Sequence, residues 1–200
     1  MTTLTFPSLV PQSCEWALVS NTQAHRSPLN GTVQTLELPG SRWAATLRFD
    51  NLNQADTRTM VAFLAKLRGR AGRFYLYDHS LAAPRGIATG TPLVKGASQT
   101  GASLITDGWT ISQTGILKAG DYIGVNGELK IVTADVNSDG IGDATLSIEP
   151  PLRSSPADNA AITVTRPTCT MMLADDDQTK WSTQPGFWSG MVISCVEVFA

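Results

Sequence analysis

The last fourteen residues constrain this chain more than any other stretch. Phe187–Ala200 (FWSGMVISCVEVFA) reads as a β-strand running to the final residue. The segments that best suit it as partners, Arg42–Phe49 and Arg73–Asp78, lie more than a hundred residues upstream. The block between them carries its own hairpin signals and its own apolar pattern. One small β-module inserted into another satisfies both facts. The expected division is residues 1–85 plus 167–200 for the outer module and 86–166 for the insertion.

Two hundred residues suffice for one good-sized core or for two small ones sharing an interface. Charged residues make up only 16%, well below the roughly 25% of ordinary soluble domains, as expected if part of the surface is buried against neighbours. A net charge of -2 and the lack of a basic stripe argue against binding to a phosphate backbone. Lys66, Arg68, Arg70 and Arg73 gather at one predicted helix end, where cations complement the helix dipole. Cys14, Cys169 and Cys195 are odd in number and far apart, and each sits in a strand-like apolar context, so free buried thiols are expected. The start, MTTLTFPSLVPQ, lacks a basic segment followed by an apolar run, which predicts synthesis and folding in a reducing cytosol. No apolar stretch approaches membrane-spanning length, so no membrane insertion is expected.

Along the outer module, Cys14–Ser20 reads as a strand and Thr32–Leu38 as another. Asn21–Gly31 between them is a polar excursion, long for a tight hairpin and suited to a protruding arm. In Arg42–Phe49, Trp43, Ala45, Leu47 and Phe49 share one face, the period of two of a half-buried strand. A helix over about 53–68 follows, starting near Asn53 with Asp56 in its first turn. Met60, Phe63, Leu64 and Leu67 form a single apolar stripe, and Gly69 is the expected carboxyl cap. Arg73–Asp78 is the next strand.

In the insertion, residues 86–108 are rich in Gly, Ser, Thr and Ala, with a short strand ending near Ile105 and a turn at Gly108-Trp109. Leu117–Asp121 continues the apolar pattern. Tyr122–Val125 and Glu128–Ala134 flank Asn126-Gly127, the strongest short hairpin signal. Ala144–Glu149 and Ala161–Thr165 alternate like strands. Five or so short strands without a helix predict a small barrel or sandwich. Cys169–Leu173 then returns the chain to the outer module.

Motifs that carry chemistry are few. Asp135, Asn137 and Asp139, with Gly140 and Asp143 following, match the opening of a calcium loop, but its twelfth position is Leu146 rather than a bidentate Glu and strands flank it. An exposed turn is expected there. Asp78-His79-Ser80 cannot form a relay on one strand, because neighbouring residues face opposite ways. No nucleophile elbow, P-loop, dinucleotide fingerprint or zinc spacing is present. Asp175-Asp176-Asp177 reads as a solvated turn. No catalytic residue, cofactor or resident metal is therefore expected, and the chain is not read as an enzyme. Trp181 and Trp188 suit an interface or a core, and His25, Arg26 and Leu29 on the arm suit contacts with a neighbouring subunit or partner.

The run LRFDNLNQADTRTMVAFLAKLRGRAGRFYLYDHS (Leu47–Ser80) resembles the strand–helix–strand of distal tail proteins of long, flexible-tailed bacteriophages, especially siphophages of Gram-negative hosts. Asp107-Gly108-Trp109, Leu117–Ile123 and Ile148–Arg153 extend the similarity into the insertion, so that it covers most of the chain from about residue 30. The resemblance implies a mainly β fold: a tail-tube-like β-sandwich or barrel with one α-helix, carrying an inserted small OB-like β-barrel. It further implies a structural virion protein at the tail tip, a homo-oligomer forming a hexameric ring. The implied partners are the tail tube protein, the tail-tip hub protein, and tape measure and fibre proteins, with DNA passing through the lumen. Synthesis would be in the host bacterial cytoplasm. Two other functions compete with it. A carbohydrate-binding module would engage host surface glycans through the inserted barrel, where Trp109 is the only tryptophan. A cell-wall hydrolase would need convergent acids at suggestive spacing, which the sequence lacks.

Overall fold

The computed structural model describes residues 3–186 and 188–199. Its elements in chain order are β1 (Leu4–Thr5), β2 (Ser13–Val19), β3 (Thr22–Arg26), β4 (Val33–Glu37), β5 (Arg42–Leu52), α1 (Gln54–Leu67), β6 (Phe74–Leu76), β7 (Gly90–Val94), β8 (Gly101–Trp109), β9 (Tyr122–Val125), β10 (Glu128–Val132), β11 (Ala144–Leu152), β12 (Ile162–Thr163), β13 (Cys169–Leu173), β14 (Ser182–Gln184) and β15 (Trp188–Glu197). The fold is mainly β with a single α-helix and a nearly closed barrel-like sheet. No helix of the described chain is long and apolar enough to cross a membrane.

Seven strands drawn from both ends of the chain form one sheet in the order β1-β6-β13-β15-β5-β2, with β14 also alongside β15. β5 alternates as its sequence predicts, with Trp43, Ala45, Leu47 and Phe49 buried. α1 covers that face. The Asn53 side-chain oxygen accepts the N–H of Asp56 at 2.9 Å, and its amide donates to the Asp56 carboxylate at 2.7 Å, which starts the helix. Met60, Phe63, Leu64 and Leu67 then pack with Phe6, Phe49 and Phe74, the rings of Phe6, Phe63 and Phe74 lying 5.3–5.8 Å apart. The left-handed cap is Arg68 at φ 53°, one residue before the predicted Gly69. Gly69 is left-handed too, and opens a short 3₁₀ turn.

The final strand pairs antiparallel with β5, from Ser189↔Leu52 to Val196↔Ala44, as its pattern predicts. On its other side lie β14 at the start of the strand and β13 at its end, not the Arg73–Asp78 strand. β6 lies one place further out, paired to β13. The returning strand takes the inner position, with Cys169, Met171 and Leu173 in the core, as Phe74 and Leu76 of β6 also are. The strand also stops at Glu197 instead of running to the last residue; Phe187 and Ala200 lie outside the described residues.

β7 to β12 form the second sheet, ordered β12-β9-β10-β11-β8-β7. It has six strands where the sequence suggested about five, and it nearly closes on itself. Val94 donates to the Ala160 carbonyl and accepts from the Asn159 N–H, both at 2.9 Å, beside a bridge from Leu93 to Ala161. β8 runs through Gly108-Trp109, so these two residues end a strand rather than make a turn. Leu117–Asp121 is not a strand; only Leu117 bridges, to Val136. The β9–β10 turn is the predicted one, with Asn126 at φ 52° and Gly127 at φ 77°, as a type I′ turn needs.

The two sheets share a junction. Trp43 donates its indole N–H to the Leu129 carbonyl at 2.9 Å and meets Tyr122 edge to face at 5.4 Å. Tyr122 and Leu129 thereby join the outer module's core. Beside them Arg153 grips Glu197 through two hydrogen bonds, 2.6 and 2.8 Å, while Glu197 accepts the Trp43 N–H at 3.0 Å. Arg153 also donates to the Ser41 carbonyl at 3.0 Å, and its guanidinium lies 4.0 Å from the Phe199 ring centroid.

Candidate interaction surface

The polar excursion is half of a β-hairpin. β3 and β4 pair only with each other, from Thr22↔Glu37 to Arg26↔Val33, and every strand residue is exposed. The ladder starts at Asn21, whose carbonyl accepts the Leu38 N–H and whose amide donates to the Pro39 carbonyl. At the far end Asn30 accepts from the N–H and hydroxyl of Thr32, and Ser27 and Thr32 close the loop through backbone hydrogen bonding. This well-formed tip holds Leu29 at 96% exposure. His25 and Arg26 precede it on β3, both exposed. Val33 and Leu36 on β4, and Val19 at the foot of the arm, add exposed apolar surface. The arm rises from β2, which is an edge strand of the seven-stranded sheet. His25, Arg26 and Leu29 lie on a projecting arm, as the sequence suggested, but Thr32–Leu38, read as a strand of the module itself, is the arm's second strand. Alternation in a short polar stretch does not say whether a core lies beneath it.

Trp181 and Trp188 flank β14, at 48% and 49% exposure, so neither is a core residue. Trp181 borders a cleft of about 540 Å³ over β15. Trp109 in the barrel is the opposite case: it is 3% exposed, its N–H donates to the Thr106 hydroxyl at 2.8 Å, and it offers no face to a ligand.

The candidate metal loop is packed and internally satisfied. Val136 and Ser138 are buried, so Asp135–Asp143 is a connection pinned to the barrel rather than a free tip. Asp135 pairs with Lys118 and accepts the Ala119 N–H; Asn137 accepts from Gly115; Asp139 accepts from Ile141 and Asp143; and Asp143 pairs with Lys95. Hydrogen bonds from the Asp143 and Ile141 N–H groups hold the Asp139 carboxyl below its usual range. Among the described residues no three acids, histidines or cysteines converge as a metal would need.

Asp78 accepts both the N–H and the hydroxyl of Ser80, at 2.8 and 2.6 Å, and so caps the short turn at His79–Leu81. Burial lowers the His79 pKa and raises that of nearby Cys14, the reverse of what a thiolate–imidazolium pair requires. Asp176 accepts the Arg70 N–H at 2.9 Å, and Asp177 pairs with Lys180. All three cysteines are free, two of them buried.

The sequence missed one charged cluster. Lys130, fully buried, pairs with Glu128 at 2.6 Å and donates to the Pro151 carbonyl at 2.9 Å. Glu128 also accepts from the Arg153 N–H and from Ser154. The only signal was a Glu and a Lys one residue apart inside an apolar strand.

Neither the protein-family models nor the curated proteins compared with this chain give a match.

Proposed function

We propose that this chain is a structural protein of a bacteriophage tail tip, closing into a ring of about six copies by cyclic head-to-tail contacts. It would join the tail tube protein to the tail-tip hub, with tape measure and fibre proteins as further neighbours, and leave a channel through which DNA passes. The finished protein resides in the virion after synthesis in the host cytoplasm.

The observation that carries this reading is the arm. An isolated two-stranded hairpin is marginal in water, yet this one carries Leu29, Val33 and Leu36 exposed. Apolar surface held out on a projecting ribbon is explained when a neighbour covers it. An arm at one edge that reaches a different surface of the next copy makes a head-to-tail contact, the type that generates rings. The low charge and the net -2 support the same reading, since a lumen lined by cations would retain DNA. Glycan binding through the barrel has less support, because Trp109 is sealed inside it.

Negative-stain imaging of the purified chain, alone and mixed with the tail tube protein, tests the proposal. Closed rings in either sample are expected. Separate single copies in both would overturn it.

A further inference from the structure

We propose that the cleft over β15 beside Trp181 is a binding subsite for a neutral saccharide. The inference is independent of the ring, and it places sugar recognition on the outer module instead of the inserted barrel.

Three features of the cleft carry it. First, the half-exposed Trp181 indole borders a space of about 540 Å³, within the range of small-ligand clefts. A π face with negative potential suits the C–H side of a sugar ring.

Second, the charges around it cancel. Arg48 pairs with Asp50 at 3.3 Å, and Lys180 pairs with Asp177. Two opposite pairs favour neither an anion, such as a phosphate, nor a cation. Carboxylates and guanidinium nonetheless keep hydrogen-bonding positions free beyond their ion pairs, and hydroxyl groups can fill these from both sides. Exposed ion pairs add little to stability, so folding alone gives weak reason for gathering two of them around one indole.

Third, part of the wall is fixed. The Gln178 side-chain oxygen accepts the Ser194 N–H at 3.0 Å, which ties that amide to β15. Under the cleft β15 is paired to β5 along its length and to β14 as far as Gly190, and this supplies a firm floor, as a binding site requires.

Saturation-transfer NMR on the full chain tests this, using glucose, galactose, N-acetylglucosamine and rhamnose at millimolar concentration as probes. Transfer to the ring protons of at least one sugar is expected, with a Kd of about 1 mM for a single subsite. Trp181→Ala should lose the signal at least tenfold, whereas Trp188→Ala, outside the cleft, should keep it. Circular dichroism melting of both variants controls for folding. No transfer from any of the four sugars would overturn the proposal, as would undiminished transfer in Trp181→Ala. So would a Trp181→Ala chain whose mass in solution falls while the native chain binds no sugar, because the patch would then be a subunit contact. Light scattering on the native sample reads the ring separately, so failure of one proposal is distinguishable from failure of the other.

Discussion

Lys130 is fully buried, and the structure surrounds its ammonium group accordingly with Glu128 and the Pro151 carbonyl. Burial pulls the Lys130 pKa down, and Glu128 opposes that. For Glu128, burial raises the carboxyl pKa, but Lys130, the Arg153 N–H and Ser154 outweigh it and hold the group below its ordinary 4.5. A depressed carboxyl stabilises the folded state above the unfolded pKa and loses that contribution as pH falls through the folded one. Urea midpoints should therefore fall as pH drops below about 4.5. Glu128→Gln should start from a lower midpoint at neutral pH, because it strands Lys130, and should then fall less steeply in acid. An acid limb unchanged by Glu128→Gln would contradict this assignment. The thiols give a second check. Burial raises Cys195 to about 12, and Cys169 and Cys14 above their ordinary value. Ellman's reagent at pH 8 should find Cys169 and Cys195 unreactive in the native chain and all three thiols reactive in guanidinium.

Where an element buries one face, its sequence announced it. β5 and α1 were legible because an apolar period of 2 or 3.6 reports a core directly. The β9–β10 turn was legible because two successive positive-φ residues demand Asn-Gly chemistry. The order of strands was not legible. β13 and β6 are both short and apolar, and nothing local tells which lies next to β15. The arm's second strand was not legible as such, since the alternation of Thr32–Leu38 runs over two exposed faces and does not tell a free ribbon from a half-buried strand. Of the candidate site, the arm's position could be read, while the cleft at Trp181 could not: its side chains come from β5, β15 and the segment before β14, and only the sheet brings them together. Helix capping offers a check at this scale. Asn53→Ala should cost about 1 kcal/mol in chemical denaturation, since both side-chain bonds to Asp56 disappear.

The two sheets are joined by a junction of buried hydrogen bonds and ring contacts. Glu197, 2% exposed, binds Arg153 from the insertion and the Trp43 N–H from the outer module. Glu197→Ala should cost about 3 kcal/mol, because it leaves the partly buried Arg153 without its anion. A cost below 1 kcal/mol, the scale of an exposed ion pair, would show the latch to be idle. A firm junction fixes where the barrel projects from the outer module, which a subunit of a closed ring needs. In the proposed ring the arm would reach outward while the junction keeps each copy in a single shape.

The most direct test of the ring is the mass of the native chain against Leu29→Asp, by light scattering across a concentration series, each alone and mixed with the tail tube protein. Leu29 is 96% exposed, so the substitution leaves the monomer's stability unchanged, and circular dichroism melting verifies this. The native chain should reach a closed species of about six copies, and Leu29→Asp should stay at lower mass at every concentration. Equal masses for the two chains throughout the series would contradict the assembly role given to the arm.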